Sequence, residues 1–255
     1  MEAKSDPYAL RRITPLMGLV VALVTASAWY VTWASSDLVS AIMVVPFFAL
    51  NMTALLVFFS LIIVMMVAMM LPSALPMIMT FHGLTRGQAD ASTMPRKPTG
   101  TIVFTSAYFL VWGAFGVLAL LGLTALGLMG PMNGWMLLVP GAVLVGGGAY
   151  QLAQAKEVCL RHCQTPFSFV MTHWRSGRFG ALRMGLRHAS YCLGCCWMFM
   201  IVLFVTGTMS LFWMGGISVA IFLEKVVSKQ LLLSRVIGVL LLVIGGLVLV
   251  QPFIN

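Results

Sequence analysis

Residues 191–223 read YCLGCCWMFMIVLFVTGTMSLFWMGGISVAIFL. The apolar part, 192–223, is too long for one untilted membrane helix, which needs about 20 residues, and too short for two generous ones. Gly207, Gly215 and Gly216 are the available break points. Whether this stretch forms one span or two decides the topology of the chain.

The composition excludes a soluble globule. Of 255 residues, 61% are hydrophobic and 8% are charged, whereas soluble domains carry about a quarter charged residues. The length leaves room for six or seven spans and no sizeable soluble domain. We therefore expect one integral membrane domain over residues 1–255. The net charge of +9 suits spans flanked by basic residues and anionic lipid, so we expect the lipid bilayer and no nucleic acid as a partner.

Hydropathy predicts seven spans. The first resembles a secretory signal because basic residues precede it, but its apolar run is too long and the sequence at 29–33, WYVTW, is a poor cleavage site. We interpret it as a retained span. The predicted spans cover 13–33, 51–79, 101–126, 135–154, 191–207, 209–223 and 236–253.

The basic residues favour two spans within 192–223. With two, all 15 Lys and Arg residues fall on the N-terminal side of the membrane, and the opposite connections carry only Asp37. With one, Lys225, Lys229 and Arg235 would lie outside, against the positive-inside rule. The sequence predicts an all-α, polytopic transmembrane helix bundle of seven spans, six being the alternative, with a cytoplasmic N-terminus.

Two further segments depart from simple spans. Pro72 and Pro76 remove helix hydrogen bonds near the end of the second span and predict a bend. The longest polar connection, about 155–190, is predicted to be a cytoplasmic loop. Its apolar residues at 166–170 and Trp174 alternate with arginines, which favours a segment lying on the lipid surface.

The five cysteines fall in two groups with helical spacing on the predicted cytoplasmic side, where thiols stay reduced. On a helix, the i, i+3 and i+4 spacing of the second group brings its thiols together, and His188 lies one turn earlier on the same face. The first group is an i, i+4 pair with His162 between its members. The groups are Cys159 and Cys163, then Cys192, Cys195 and Cys196.

These residues favour a soft metal. Thiolates with imidazoles suit Zn²⁺, Cu(I) or an iron–sulfur centre, and nearby thioethers favour Cu(I). The 20 methionines include a cluster in the second span that ends on the same side as the cysteines. Any single cysteine or methionine, and the methionine cluster alone, is better explained by packing. The five cysteines together favour metal. The methionine cluster of the second span comprises Met65, Met66, Met69 and Met70.

The charged residues offer no catalytic set. The chain has only six Asp and Glu, none forming a spaced pair in a span, and thiol chemistry by the CxxCC string would need a depressed thiol pKa. We assign no enzyme activity. Glu224 and Lys225 could support a metal ligand or mark an ion pathway, but an interfacial ion pair that reaches toward the membrane surface is the better explanation. The glycines at 146–148 favour helix packing over phosphate binding.

Several strings resemble a bacterial family of predicted metal-binding integral membrane proteins, domain of unknown function 2182. They are MMVAMMLP at 65–72, CLRHC at 159–163, GLRH at 185–188 and YCLGCCWM at 191–198, followed by Glu224-Lys225. The likeness covers about 50–230. It implies a multi-pass protein of the bacterial inner membrane with a metal site, and it implies no reaction.

Three functions remain open. The leading hypothesis is a membrane protein that binds a soft metal, foremost Cu(I), for handling or delivery to a donor or acceptor protein. The second is a structural or assembly subunit of a larger membrane complex with a structural zinc site or no metal. The third is a facilitated transporter using the second span. The predicted ligands are Cys159, Cys163, Cys192, Cys195, Cys196, His188, His162, Met69 and Met70.

Overall fold

The computed structural model describes residues 7–38, 51–87, 99–126, 138–205, 211–227 and 230–254. The regular secondary structure of these residues is helical throughout, which confirms the all-α prediction. The break expected near Gly207 lies outside the described residues, as does the predicted start of the fourth span.

The described helices follow one another in chain order. They are α1 (Pro7–Ala34), α2 (Met52–Gly87), α3 (Thr99–Ala125), α4 (Val139–Leu152), α5 (Gln154–Gln164), α6 (Pro166–His173), α7 (Gly177–Val205), α8 (Leu211–Val226) and α9 (Gln230–Ile254).

Four of these helices contain a segment long and apolar enough to cross a membrane. Helix α1 contributes a shorter apolar segment, Gly18–Ala34. Helices α4 and α8, with 14 and 16 residues, fall below the usual span length. The count of seven spans and the cytoplasmic N-terminus therefore stay predictions. The four long segments are Leu55–Thr85, Thr99–Ala119, Gly177–Val205 and Leu231–Pro252.

Helix α2 continues through both of its prolines. It extends to Gly87 with Pro72 and Pro76 inside it, eight residues beyond the predicted end of the second span. Proline removes backbone hydrogen bonds from a membrane helix, so this region needs cover from neighbouring protein. Leu71, Ala74 and Met77 are buried around the prolines, and the protein supplies that cover.

The predicted cytoplasmic loop is helical over most of its length. Helices α5 and α6 and the first half of α7 occupy it. Helix α6 packs against α2 with Phe169 and Val170 buried, while Phe167 and Met171 are exposed. One face of this segment therefore packs on protein, and its position on the lipid surface stays a prediction for the exposed face. The buried face docks into the bundle because its apolar side chains find protein partners there.

Helices α2 and α7 form the centre of the bundle. Half of the apolar segment of α2 and 56% of that of α7 are buried, against 17% for α9. Helix α7 packs against α3, α4 and α5, and α2 packs against α1, α3 and α8. Chemistry-bearing side chains on the inner faces of these two helices are therefore shielded from the surroundings.

Helix α9 lies at the periphery against α4. A Cβ on Gly148 would lie 2.7 Å from the carbonyl oxygen of Gly238, so the absence of a side chain permits this close helix contact. The structure thus agrees with the helix-packing interpretation of residues 146–148. The opposite side of α9 leaves Leu240, Val243 and Leu247 more than half exposed, a surface compatible with membrane insertion.

Candidate metal site

The three cysteines of α7 are buried in the core. Cys192, Cys195 and Cys196 are 1%, 3% and 2% exposed. The thiols of Cys195 and Cys196 each donate to the carbonyl oxygen of Cys192, at 3.1 and 3.0 Å. The predicted helical spacing is confirmed, and both thiols are turned back toward the preceding helical turn.

Cys163 of α5 reaches the cysteines of α7. Cys163 packs against the buried cluster that contains Cys192 and Cys195, and interaction with these two thiols raises the pKa of Cys163. Helix α5 packs along α7, and this packing brings the two sequence groups of cysteines together. The i, i+4 pair on α5 therefore contributes at least one thiol to the α7 group.

Cys159 lies one turn earlier on α5, at the edge of that group. A Cβ on Gly194 would lie 2.8 Å from the sulfur of Cys159, so the glycine makes room for this thiol within the CLGCC string. Burial raises the pKa of the Cys159 thiol, and the nearby Cys195 raises it further. Both effects favour the neutral thiol of Cys159, which packs on α7 at Gly194.

Two of the predicted methionines lie in the centre of the bundle with different neighbours. The sulfur of Met70 lies 3.7 Å from the sulfur of Cys196, which joins α2 to the α7 cysteines. Met69 is also buried, and its carbonyl oxygen accepts a hydrogen bond from Ser218 of α8 at 3.3 Å. The contact between Met70 and Cys196 thus combines a thioether with a thiol.

A buried lysine completes the surroundings of Cys192. The Nζ atom of Lys225 on α8 lies 3.2 Å from the sulfur of Cys192 and 3.0 Å from Oγ of Ser73 on α2. Lys225 is only 8% exposed. The expected interfacial pair between Glu224 and Lys225 is therefore wrong. Neighbouring helix residues point about 100° apart and do not face each other.

Glu224 instead pairs with Lys156 of α5. The Nζ atom of Lys156 lies 2.8 and 2.7 Å from the two carboxylate oxygens, and both side chains are at most 3% exposed. Gln164, also on α5, donates to the backbone carbonyl of Glu224 at 2.7 Å. These bonds fasten α5 to α8 and so position Cys163.

The two predicted histidine ligands lie in different environments. His188 is buried, its Nδ1 shares a 2.6 Å hydrogen bond with the Tyr108 hydroxyl, and its Nε2 makes no hydrogen bond among the described residues. His162 is half-buried, stacks on Tyr191 with ring centroids 4.2 Å apart, and donates through Nδ1 to the Val158 carbonyl at 2.8 Å. Neutral imidazole keeps one acceptor nitrogen for a ligand, and in His162 that nitrogen is Nε2.

Within the described residues, no three side chains of the His, Cys, Asp and Glu types are arranged to hold a metal ion together. The contacts above supply a physical reason. The thiols of Cys195 and Cys196 donate to a backbone carbonyl, and Lys225 occupies the space beside Cys192. The donor set still fits a soft ion, because thiols and a thioether lie in contact in a dry core. Binding would require thiol rotation and loss of thiol protons.

Sequence reasoning missed three side chains of this region. Lys225 was assigned to the membrane surface. No role was predicted for Ser73 and Tyr108, because serine and tyrosine are common in spans. The sequence feature that could have predicted a buried position for Lys225 is its place next to Glu224. Two adjacent helical charges need separate partners, and the other buried lysine, Lys156, supplies the partner for Glu224.

Comparison with known proteins identifies a family. Residues 59–248 match a family model described as PpoB2, copper chaperone, which covers most of the chain and all of the predicted ligands. No curated protein and no solved structure matches the chain.

Proposed function

This chain belongs to the PpoB2 copper chaperone family, and from that premise we propose that it binds Cu(I) within its helix bundle and hands the ion to a partner protein. The proposed ligands are drawn from the thiols of Cys163, Cys192, Cys195 and Cys196 with the thioether of Met70. Copper is cargo in this account, so the site must release it as well as bind it. Cys159, His162, His188 and Met69 are the reserve ligands or orienting residues.

The observation that carries the proposal is the contact between sulfur atoms from three helices. The sulfur of Met70 on α2 lies 3.7 Å from the sulfur of Cys196 on α7, and Cys163 of α5 packs against the same buried cluster. Packing alone explains a buried cysteine or methionine at any one position. It gives no reason for thiols from two helices and a thioether to meet at one place.

The chemistry of these donors supports Cu(I) over other ions. Hard cations such as Mg²⁺ need oxygen ligands, and the buried carboxylate of Glu224 is already paired. Cu(I) accepts thiolate together with thioether, whereas structural zinc sites use four ligands drawn from cysteine and histidine. A site with few, rotatable thiols also suits transfer, because exchange needs an open position.

The surroundings of the site belong to the proposal as well. The distribution of basic residues supports seven spans with the N-terminus in the cytoplasm, and the family resemblance implies the bacterial inner membrane. In that orientation the cysteines lie near the cytoplasmic side, where Cu(I) stays reduced.

Reporter fusions at the end of α1 and within 155–190 test this topology. Cytoplasmic signals from the loop with external signals from the end of α1 are expected, and the reverse pattern contradicts it.

Cu(I) titration of the detergent-purified protein tests the function. The titration is done without oxygen against a competing chelator, with wild type, Cys163→Ser, Cys192→Ser and Cys159→Ser. We expect about one Cu(I) per chain for wild type, loss of tight binding for the first two variants, and a smaller loss for Cys159→Ser. A wild type that binds no copper, or variants that all bind as wild type does, would contradict the proposal.

The structural alternative is a zinc clamp between α5 and α7. One observation favours it: Cys163 already bridges these two helices. Against it, the ion pair of Lys156 and Glu224 fastens α5 within the bundle without a metal. A clamp predicts unfolding on treatment with a chelator, whereas the copper proposal predicts a folded protein after copper removal. A facilitated transporter would instead give copper uptake into proteoliposomes.

A further inference from the structure

Lys225 lies where three helices meet. Its Nζ atom, on α8, contacts Ser73 of α2 and Cys192 of α7. Neither of the two ion pairs among the described residues includes Lys225. The adjacent carboxylate, Glu224, is bound by Lys156. The groups in contact with the Lys225 ammonium are thus a hydroxyl and a thiol.

An ammonium group buried without an anion is expensive. Buried charges in proteins are normally paired or coordinate a metal, because the core solvates them poorly. Ser73 does not need the lysine, since its hydroxyl also donates to the carbonyl of Met70 at 2.8 Å. Packing therefore gives no reason for a lysine at this position, and the remaining neighbour, the thiol of Cys192, can become an anion.

Copper binding would create that anion. When two cysteines bind Cu(I), two S–H bonds break, two protons leave to water and two Cu–S bonds form. The bound ion adds one positive charge and the two thiolates add two negative charges, so the complex carries a net charge of −1. One ammonium beside it makes the whole site neutral.

We propose that Lys225 supplies the counter-charge for bound copper, so that a site of one Cu(I), two thiolates and the Lys225 ammonium is neutral in the apolar core. This inference rests on the proposed function. A thioether ligand such as Met70 adds no charge and leaves the balance intact. Lys225 is a positioning and selectivity residue in this account, since it contacts a ligand and does not bind the metal.

The charge count also predicts selectivity. Zn²⁺ with the same two thiolates is neutral by itself, so Lys225 would leave the site with a charge of +1. Removing the lysine therefore favours Zn²⁺ and disfavours Cu(I) at a two-thiolate site. A lysine that only fills space would affect both ions in the same direction.

The experiment measures Cu(I) and Zn²⁺ affinities of the purified protein in detergent for wild type, Lys225→Met and Lys225→Gln. Glutamine keeps a hydrogen-bonding group near Ser73 and removes the charge, which covers the case in which Lys225→Met does not fold. Arg187→Gln is the matched control, because Arg187 is an exposed cation on α7. We expect the Lys225 variants to bind Cu(I) about 10- to 100-fold more weakly, the range typical of groups that support metal ligands. Their Zn²⁺ affinity should be equal to or higher than that of wild type.

Three results would overturn the inference. Lys225 variants that bind Cu(I) as tightly as wild type would show that no counter-charge is needed, while copper binding by wild type still stood. Equal weakening of Cu(I) and Zn²⁺ would assign Lys225 a structural role only. A wild type without Cu(I) binding would remove the proposed function and this inference together.

Discussion

Two lysines are buried in the described part of this helix bundle, and they differ in what balances their charge. Lys156 lies 2.7 to 2.8 Å from both carboxylate oxygens of Glu224. Lys225, the next residue after that glutamate, contacts a serine and a cysteine. The first lysine has a complete electrostatic partner in the folded chain, whereas the second has a partner that becomes charged only when it loses a proton.

The difference separates structure from function in one small region. The buried ion pair of Lys156 and Glu224 is hydrogen-bonded and fixes the position of α5 relative to α8. Its loss should lower the free energy of unfolding. A buried cation beside thiols contributes little to the metal-free fold, and its loss should change what the thiols bind. Four predictions test this contrast.

The largest effect is expected for Glu224→Gln. The substitution keeps the shape of the side chain but leaves Lys156 as an unpaired charge in the core. We expect a loss of about 3–5 kcal/mol in the free energy of unfolding, measured by denaturation in detergent. The double variant Lys156→Met/Glu224→Leu removes both charges and should recover most of that stability. A loss in the double variant as large as in Glu224→Gln would contradict this account of the pair.

Gly194→Ala is expected to have the next largest effect. The new methyl group would lie 2.8 Å from the sulfur of Cys159, so α5 and α7 must shift or the thiol must rotate. We expect a loss of about 1–3 kcal/mol in the free energy of unfolding. Combining it with Cys159→Ala should restore stability, and a double-mutant cycle measures this coupling. Gly246→Ala is the control, because no atom lies within 4 Å of its Cβ position. Additive effects would contradict the contact.

Met70→Leu probes the contact with Cys196, whose sulfur lies 3.7 Å from that of Met70. Leucine fills similar space, so the free energy of unfolding should change by less than about 1.5 kcal/mol. We expect Cu(I) affinity to fall by about threefold to tenfold, or about 1 kcal/mol, because the thioether donor is lost. Met200→Leu on α7, at another buried methionine, should leave the affinity unchanged. Equal affinities in both variants would remove Met70 from the ligand set.

The smallest effect on stability is expected for Lys225→Met in the metal-free protein. The substitution removes the cost of burying an ammonium group without an anion, and the loss of two hydrogen bonds offsets most of that gain. We expect the free energy of unfolding to change by less than about 1 kcal/mol. A loss comparable to that of Glu224→Gln would show that Lys225 is structural, as Lys156 is.

The sequence predicted the parts of this molecule that depend on local pattern. Hydropathy identified the four helices that contain a segment long enough to cross a membrane, and the i, i+3 and i+4 spacing placed Cys192, Cys195 and Cys196 together on α7. The meeting of Cys163 with that group was a hypothesis from chain order, and the packing of α5 along α7 places Cys163 against the same buried cluster.

The sequence did not predict which partners meet across helices. The pairing of Lys156 with Glu224 joins residues 68 positions apart, and the contact of Lys225 with Ser73 spans 152 positions. No local pattern encodes such contacts, because they depend on how α2, α5 and α8 pack against one another. The same reason applies to the apolar residues at 166–170, which the sequence placed on the lipid surface: Phe169 and Val170 are buried against the bundle.

The most direct test of the copper proposal is the metal content of the purified protein, measured by elemental analysis beside a variant with all five cysteines changed to serine. The account predicts copper near one equivalent in wild type after exposure to Cu(I), and none in the variant. Stoichiometric zinc in place of copper would contradict it in favour of the structural clamp. Equal copper in both proteins would contradict the assignment of the cysteines as ligands.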